Sequence, residues 1–306
     1  MDLKLLEYMV KIEEERSITR AAEKLYITQS ALNQQLLRLE KELGTPLFYR
    51  TRSDWSPTPP GEVYLKGARE ILQIKKHTYN QINDILHTSR GHLSIGFTPL
   101  RGADMFTWIY PDFHKLFPQT VVDPHEMSVH QQQKLISSGL LDLGFQTLSP
   151  QQRTSDEYIK LGEEELFLVL PEDFPFDCPP KQEGAAFPEA VDLNRLRYEP
   201  FVLMYRESTT RPLIDQIFKN AGFSPNTLFD TSSNQTIISM VQNRLCCGIV
   251  PWYYLQNRPK GISIYAFPEH PSLDIVVSYH KNTYLSAPAQ ALIQLAKTFW
   301  DQNTLK

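Results

Sequence analysis

Gln29, Ser30, Asn33 and Gln34 bring carboxamides and a hydroxyl together in one short stretch, and no charged residue interrupts it from Ile27 to Leu37. Carboxamides can bond adenine N6 and N7 in bidentate fashion, whereas guanine is usually read by Arg or Lys. The stretch therefore suits base edges, with a bias toward A·T pairs. Cations stand around it: Arg16, Arg20, Lys24, Arg38, Lys41, Arg50 and Arg52, against Glu23, Glu40 and Glu42. Such charges hold phosphates and set orientation without reading sequence. An amide-rich helix face can also be merely solvated, but the ring of cations favours nucleic acid.

The surrounding residues predict the elements that would present this face. Ser17 can cap a first short helix in which the small Ala21 and Ala22 allow a close crossing, and Leu25 then enters the shared core. Thr28 can cap the next helix and Gly44 can end it. Leu32, Leu36, Leu39 and Leu43 recur at i, i+4, i+7 and i+11, which predicts one buried stripe. At about 100° per residue the opposite side carries Ser30, Gln34 and Lys41, flanked by Asn33 and Arg38. A basic hairpin through Arg50 and Arg52 should follow.

Downstream, Leu65, Ala68, Leu72, Lys75, Tyr79, Ile82 and Leu86 alternate at spacings of three and four within a run from Pro60 to Thr88 that has no internal proline. This is a heptad seam with Lys75 as its one polar position. At about 1.5 Å per residue the helix would be about 40 Å long, too long to bury against one small domain. Pairing with a second copy through Leu65, Leu72, Tyr79, Ile82 and Leu86 is expected.

The spacing Ser17, Ala21-Ala22, Leu25, Gln29-Ser30-Ala31, Leu36, Leu39-Glu40, Leu43-Gly44, Leu47-Phe48 and Arg50 resembles the amino-terminal domain of the LysR-type transcriptional regulators. The resemblance implies a winged helix-turn-helix with DNA contacts at Gln29, Ser30, Asn33, Gln34, Arg50 and Arg52, and a linker helix that forms an antiparallel dimer. One departure is visible. The family usually has Leu-Thr-x-Ala-Gly after the wing, and here the run is Ser56-Pro57-Thr58-Pro59-Pro60-Gly61. Proline is tolerated in the first turn of a helix, so the departure bears on the exit angle rather than on the fold.

After Arg90-Gly91 strand and helix patterns alternate, as in parallel α/β architecture. The first set runs through His92–Phe97, Phe106–Phe117, Thr120–Glu126, Val129–Ser138 with Gly139, and Leu141–Phe145. A second begins at Glu165–Leu170 and continues through Phe201–Tyr205, Arg211–Ala221, Thr227–Thr231, Thr236–Asn243 and Cys246–Val250, before Leu273–Tyr279 and Ala287–Asp301 close the chain. The layout resembles the effector-binding region of the same family, which is like a periplasmic binding protein: two α/β lobes joined by crossovers. The supporting motifs are Gly91-His-Leu-Ser-Ile95-Gly96, Ile136-Ser-Ser-Gly139-Leu-Leu-Asp142-Leu-Gly144 and Val241-Gln-Asn-Arg-Leu-Cys-Cys-Gly248-Ile-Val-Pro251. The last departs by placing Asn-Arg-Leu-Cys-Cys where the family usually has small residues, and Pro171 to Asp192 is unusually rich in proline. The expected domains are a DNA-binding head at 1–58, a linker helix at 59–90 and an effector domain at 91–306, with lobe I at 91–162 and 269–306 and lobe II at 163–268.

Ligands in open α/β sheets sit beyond the carboxyl ends of strands, where helix amino termini supply N–H donors. That rule selects Thr98, Arg101, Ser128, Gln146, Tyr205 and Thr209 as effector contacts, and hydroxyls with a cation suit a small carboxylate. Single Ser and Thr residues before helices are more often caps than ligand groups, so convergence on one cleft is what would promote them.

The chain has 306 residues, enough for two or three domains. Residues 1–90 carry 14 Lys plus Arg against 12 Asp plus Glu, and the remainder 17 against 23, so the acidic part is not the one expected to touch DNA. Met1 leads into a charged amphipathic helix, no apolar run approaches a membrane span, and a cytoplasmic location is expected. Three cysteines, two of them the adjacent Cys246-Cys247, cannot make a secreted disulfide framework. No Gly-x-Ser-x-Gly, Walker loop or Cys-x-x-Cys appears, and neither enzyme activity, metal nor cofactor is expected. The leading expectation is a ligand-responsive regulator: a homodimer or homotetramer on an inverted-repeat operator in double-stranded DNA, with RNA polymerase as a candidate partner. A solute-binding protein and an α/β enzyme are the competing classes.

Overall fold

Residues 2–51, 54–86, 91–175, 187 and 192–304 are described by a computed structural model. The head opens with α1 (Leu3–Glu15), α2 (Ile18–Lys24) and α3 (Gln29–Leu43). Both predicted caps form: the Ser17 hydroxyl accepts from the Arg20 N–H and that of Thr28 from the Ala31 N–H. Gly44 ends α3 at φ 72°, a left-handed conformation that costs glycine little. Leu32, Leu36 and Leu39 join Leu6, Met9, Ile12 and Ala21 in the head's core. Leu43 does not. It is 45% exposed, because the last turn of α3 projects past a core whose contacts on this helix stop near Leu39.

The wing consists of β1 (Phe48–Arg50) and β2 (Trp55–Pro57), antiparallel with Arg50 opposite Trp55. Arg52 lies outside the described residues. The unusual run after the wing docks firmly. Thr58 donates its N–H to the Leu47 carbonyl at 2.9 Å and its hydroxyl to the Pro46 carbonyl at 2.7 Å, while accepting from the Gly61 N–H at 3.1 Å. A Cβ on Gly61 would lie 2.0 Å from the Leu47 carbonyl oxygen, so only glycine permits this approach. Pro59 and Pro60 occupy first-turn positions where a missing N–H does no harm, and α4 (Pro59–Ile85) leaves the wing from there. The helix was expected to reach Thr88, but His87 and Thr88 lie outside the described residues.

The seam along α4 divides into two parts. Leu65 is 0% exposed and packs with Ala68 in the head's own core, and Leu72 packs against that core. Leu65 is thus a core residue of its own protomer and not available to a second chain, a correction to the expected pairing set. Lys75 donates to Glu7 of α1 at 2.8 Å, and Arg69 pairs with Glu13. Beyond Lys75, Tyr79, Ile82, Ile85 and Leu86 are exposed.

The remaining chain forms two lobes with separate cores. Lobe I contains β3 (Gly91–Phe97), α5 (Arg101–Leu116), β4 (Thr120–Glu126), α6 (Val129–Ser137) and β5 (Leu143–Leu148). A long β6 (Glu157–Pro171) then carries the chain across: its first half pairs with β11 and its second with β9 and β10. Lobe II adds β7 (Pro200–Met204), α7 (Arg211–Asn220), β8 (Asn226–Thr231), α8 (Asn234–Gln242), β9 (Gly248–Pro251) and β10 (Ile262–Ala266). The chain returns through β11 (Ser272–Tyr279), and α9 (Ala287–Asn303) packs on lobe I. The βα crossovers are parallel, as the alternating pattern predicts, but β6, β9, β10 and β11 pair antiparallel. Sequence reading starts β6 only at Glu165, because Glu157 to Glu164 mixes charged and apolar residues, and it does not see β10.

Lobe I and the head are joined through α4. The Lys76 ammonium donates to both carboxylate oxygens of Asp142, at 2.7 and 2.6 Å, and Asp142 also accepts from the Ser94 N–H. Asp84 accepts from the Tyr284 hydroxyl at 2.8 Å and the Ala287 N–H at 3.0 Å. Leu140 of lobe I packs against the core of the head.

Candidate functional site

The turn between α2 and α3 sets the presentation of the amide face. Gln29 and Gln34 are exposed and Asn33 is half-buried. The Thr19 hydroxyl donates to Gln29 Oε1 at 3.1 Å, which fixes that side chain and leaves its N–H groups as donors. Ser30 shares a hydrogen bond with Thr28 at 3.1 Å. Arg38 is exposed one turn beyond Gln34. These residues share the outer side of a helix whose other side is locked in the core, so the face stands clear of the head.

Arg50 has a second task that its charge alone does not reveal. Its guanidinium pairs with Glu40, lies 5.6 Å from the centre of the Trp55 ring, and so ties the wing to α3. Glu40, buried, also accepts from the Leu47 N–H at 2.8 Å. Sequence reading counted Glu40 as an opposing charge and as part of the family motif but gave it no structural task, whereas here it orients the wing. Tyr26 was also missed. It is 96% exposed in the helix-turn-helix turn at φ 55°, a left-handed backbone position that nothing in the sequence signals.

Between the lobes lies a cleft of about 520 Å³. Thr98, Arg101, Ser128, Tyr205 and Thr209 all line it, while Gln146 lines a small adjoining void together with Thr98 and Arg101. The amino termini of α5, α6, α7 and α8 all meet the cleft, through Leu100-Arg101, Ser128-Val129, Thr210 and Ser233-Asn234. Ser128 and Ser233 cap their own helices, accepting from the Gln131 and Thr236 N–H groups. No side chain caps α5, and Leu100 before it sits at φ 60° and ψ −93°, a strained conformation of the kind that clusters at binding sites.

The Arg101 guanidinium, expected as a carboxylate-binding cation, is already engaged within the protein. It donates to Glu164 and to the Thr147 hydroxyl, both at 2.6 Å, and lies 5.9 Å from the centre of the Trp300 ring. Glu164 is fully enclosed on the crossover strand, and burial pushes its carboxyl above the usual range while Arg101 and the Tyr253 N–H oppose that. The Tyr253 hydroxyl donates to Asp104 at 2.8 Å, so one network joins α5, β6 and the segment after β9. Burial and this hydrogen bond push the Tyr253 phenol up. Glu164, Tyr253, Glu207 and Asn234 went unnoticed in the sequence, where a lone Glu in a strand or Asn at a helix start carries no distinctive spacing.

Two sequence profiles match: "Bacterial regulatory helix-turn-helix protein, lysR family" over residues 3–62 and "LysR substrate binding domain" over residues 87–301. The chain belongs to the LysR family of transcriptional regulators. As a LysR-family protein it is a DNA-binding transcriptional regulator with an effector-binding α/β domain. It is 28% identical over 306 residues to the uncharacterized HTH-type transcriptional regulator YcgK of Bacillus subtilis, covering 97% of this chain and 94% of that one. Its fold is similar to that of full-length OxyR from Pseudomonas aeruginosa, with TM-score 0.73 and 22% identity over 97% of this chain and 94% of that chain. CbnR in complex with its target DNA matches with TM-score 0.59 and 19% identity, over 98% and 99% of the two chains.

In this LysR-family chain Cys246 and Cys247 are buried in the lobe II core. Burial pushes their thiols up to about 11 and about 12, which leaves little thiolate at neutral pH. Among the described residues no group of three or more His, Cys, Asp or Glu side chains could hold a metal ion, and no helix is long and apolar enough to cross a membrane.

Proposed function

We propose that α3 enters the major groove with Gln29, Ser30, Asn33 and Gln34 toward base edges, while Arg38, Arg50 and Arg52 engage phosphates on either side. The observation that carries this reading is the exposed, uncharged amide face of α3, which projects from a head whose core absorbs the opposite stripe. The operator is an inverted repeat read by a dimer or by a dimer of dimers. The second copy packs along the outer half of α4, where Tyr79, Ile82 and Leu86 stand exposed beyond the head's core. The interlobe cleft binds a small-molecule effector that changes lobe closure and, through Asp142 and Asp84, the setting of α4.

The test is binding of the full chain to a library of genomic fragments, followed by footprinting of the recovered sites. A protected inverted repeat is expected, with Asn33→Ala and Gln34→Ala broadening the recovered consensus. No retention of any fragment even in dilute buffer would refute the reading. An operator recovered equally well by both variants would show that bases are read elsewhere.

A further inference from the structure

The segment Ser149 to Arg153, which leads from β5 into β6, reaches across to lobe II. Gln152 donates from Nε2 to the Thr209 carbonyl at 3.1 Å, a direct hydrogen bond between the lobes away from the crossover strands. Its orientation is set from the lobe I side. Gln152 Oε1 accepts from the Ser149 N–H at 2.8 Å, the Gln152 N–H donates to the Ser149 carbonyl at 3.1 Å, and the Gln152 carbonyl accepts from Gln133 Nε2 of α6 at 2.8 Å. With Oε1 so engaged, the Nε2 end is the one that faces Thr209. Arg153 then anchors the segment to the sheet through its bond to Asp274 at 2.6 Å. The inner face of α6 is tied less well. Gln132 Oε1 and Gln146 Nε2 flank Gly144 of β5, each 3.0 Å from where a Cβ there would lie, and neither buried atom has a hydrogen-bond partner. Buried amides are nearly always paired, so the polar tie from α6 to the interlobe segment is Gln133 rather than this face.

On lobe II the residue that accepts this bond also lines the cleft. Thr209 stands just before α7, whose cap Thr210 makes no side-chain bond to the helix. The Ser208 hydroxyl bonds that of Thr210 at 2.7 Å, and the Ser208 N–H donates to the Tyr205 carbonyl at 3.0 Å, so this turn moves as a unit. A ligand that engages the start of α7 therefore displaces the very carbonyl that Gln152 holds. We propose that Gln152 is a positioning residue, a clasp that keeps the α6 and α7 sides of the cleft at this spacing and has to yield when the lobes move apart. The proposal rests on the effector reading of the cleft.

Double electron–electron resonance on the full chain without ligand tests it. Spin labels are placed by Lys134→Cys on α6 and Lys219→Cys on α7, both exposed, with Cys178→Ser so that the buried Cys246 and Cys247 are the other cysteines present. Labelled protomers are diluted into unlabelled ones, so that the distance read lies within one chain. Gln152→Glu keeps an acceptor for the Ser149 N–H and removes only the donor to Thr209, whereas Gln152→Leu removes both. Each should raise the ratio of long to short α6–α7 distances about three- to tenfold, the effect of one lost hydrogen bond. A shift with Gln152→Leu alone would show that the side chain serves only its own segment and would overturn the clasp. A shift with Gln152→Glu alone would reflect repulsion between the new carboxylate and the Thr209 carbonyl, and unchanged distances in both would show that the bond holds nothing; either result overturns the proposal as well. The effector reading fails on a separate measurement, a metabolite library that yields no saturable binder of the parent.

Discussion

Single residues in this regulator carry tasks that separate cleanly by the contacts they make. Gln34 stands exposed on α3, without a side-chain hydrogen bond among the described residues, so Gln34→Ala should relax base preference by about 1–3 kcal/mol of discrimination with little change in salt dependence. Arg38→Ala should weaken all duplexes alike and reduce the salt slope by about one, which a binding titration at several salt concentrations would measure. Arg50 behaves differently. Because it is held by Glu40 and Trp55, its loss should loosen the wing as well as remove a charge. Cys246 and Cys247, with thiols pushed up to about 11 and about 12, should resist iodoacetamide at neutral pH until the protein unfolds. Mass-spectrometric mapping of the alkylated sites in native and denatured protein checks this.

At the scale of elements, α4 is one helix with two environments. Its first half belongs to the head, so Leu65→Ala should cost about 2–5 kcal/mol of head stability, as cavity-forming core substitutions do. Its outer half is exposed, and Ile82→Glu should leave thermal stability of the protomer near that of the parent while shifting mass in light scattering toward the monomer. His77 lies on the same helix near Asp142, Lys76 and His280, and burial holds its imidazole below the usual histidine range. A depressed pKa means that the neutral ring contributes stability above the unfolded-state value, which is lost as pH falls through the folded one. Acidification from pH 7 to 5 should therefore destabilise the parent more than His77→Gln, as denaturant midpoints at each pH would record.

Across the whole molecule the head, linker and lobe I form one connected body, tied by Lys76 to Asp142, by Asp84 to Tyr284 and Ala287, and by Leu140 against the head. The cleft reaches the same body through Arg101, Glu164 and Tyr253, which link α5 to the crossover strand. The lobe closure proposed above thus has a mechanical route to α4. Lys76→Ala with Asp84→Ala should cut that route, leaving operator affinity insensitive to whatever small molecule alters it in the parent.

Much of the head was legible before any coordinates, because helix caps, the leucine stripe and the amide face are local and periodic. Ser17, Thr28, Gly44, Leu32, Leu36 and Leu39 all behave as their spacing predicts. Leu43, Leu65 and Arg101 do not, since each depends on what lies opposite rather than on its neighbours in sequence. Leu43 runs off the end of a core, Leu65 meets the head, and Arg101 meets a glutamate on the crossover strand far along the chain. By itself, then, the sequence determined the family, the exposed amide face of α3 and the alternation of the lobes, all encoded in contacts a few residues apart. Only the tertiary structure decided which cations were free, which seam positions stayed exposed and which buried amides lacked partners, because pairing and burial are properties of surfaces brought together from distant segments.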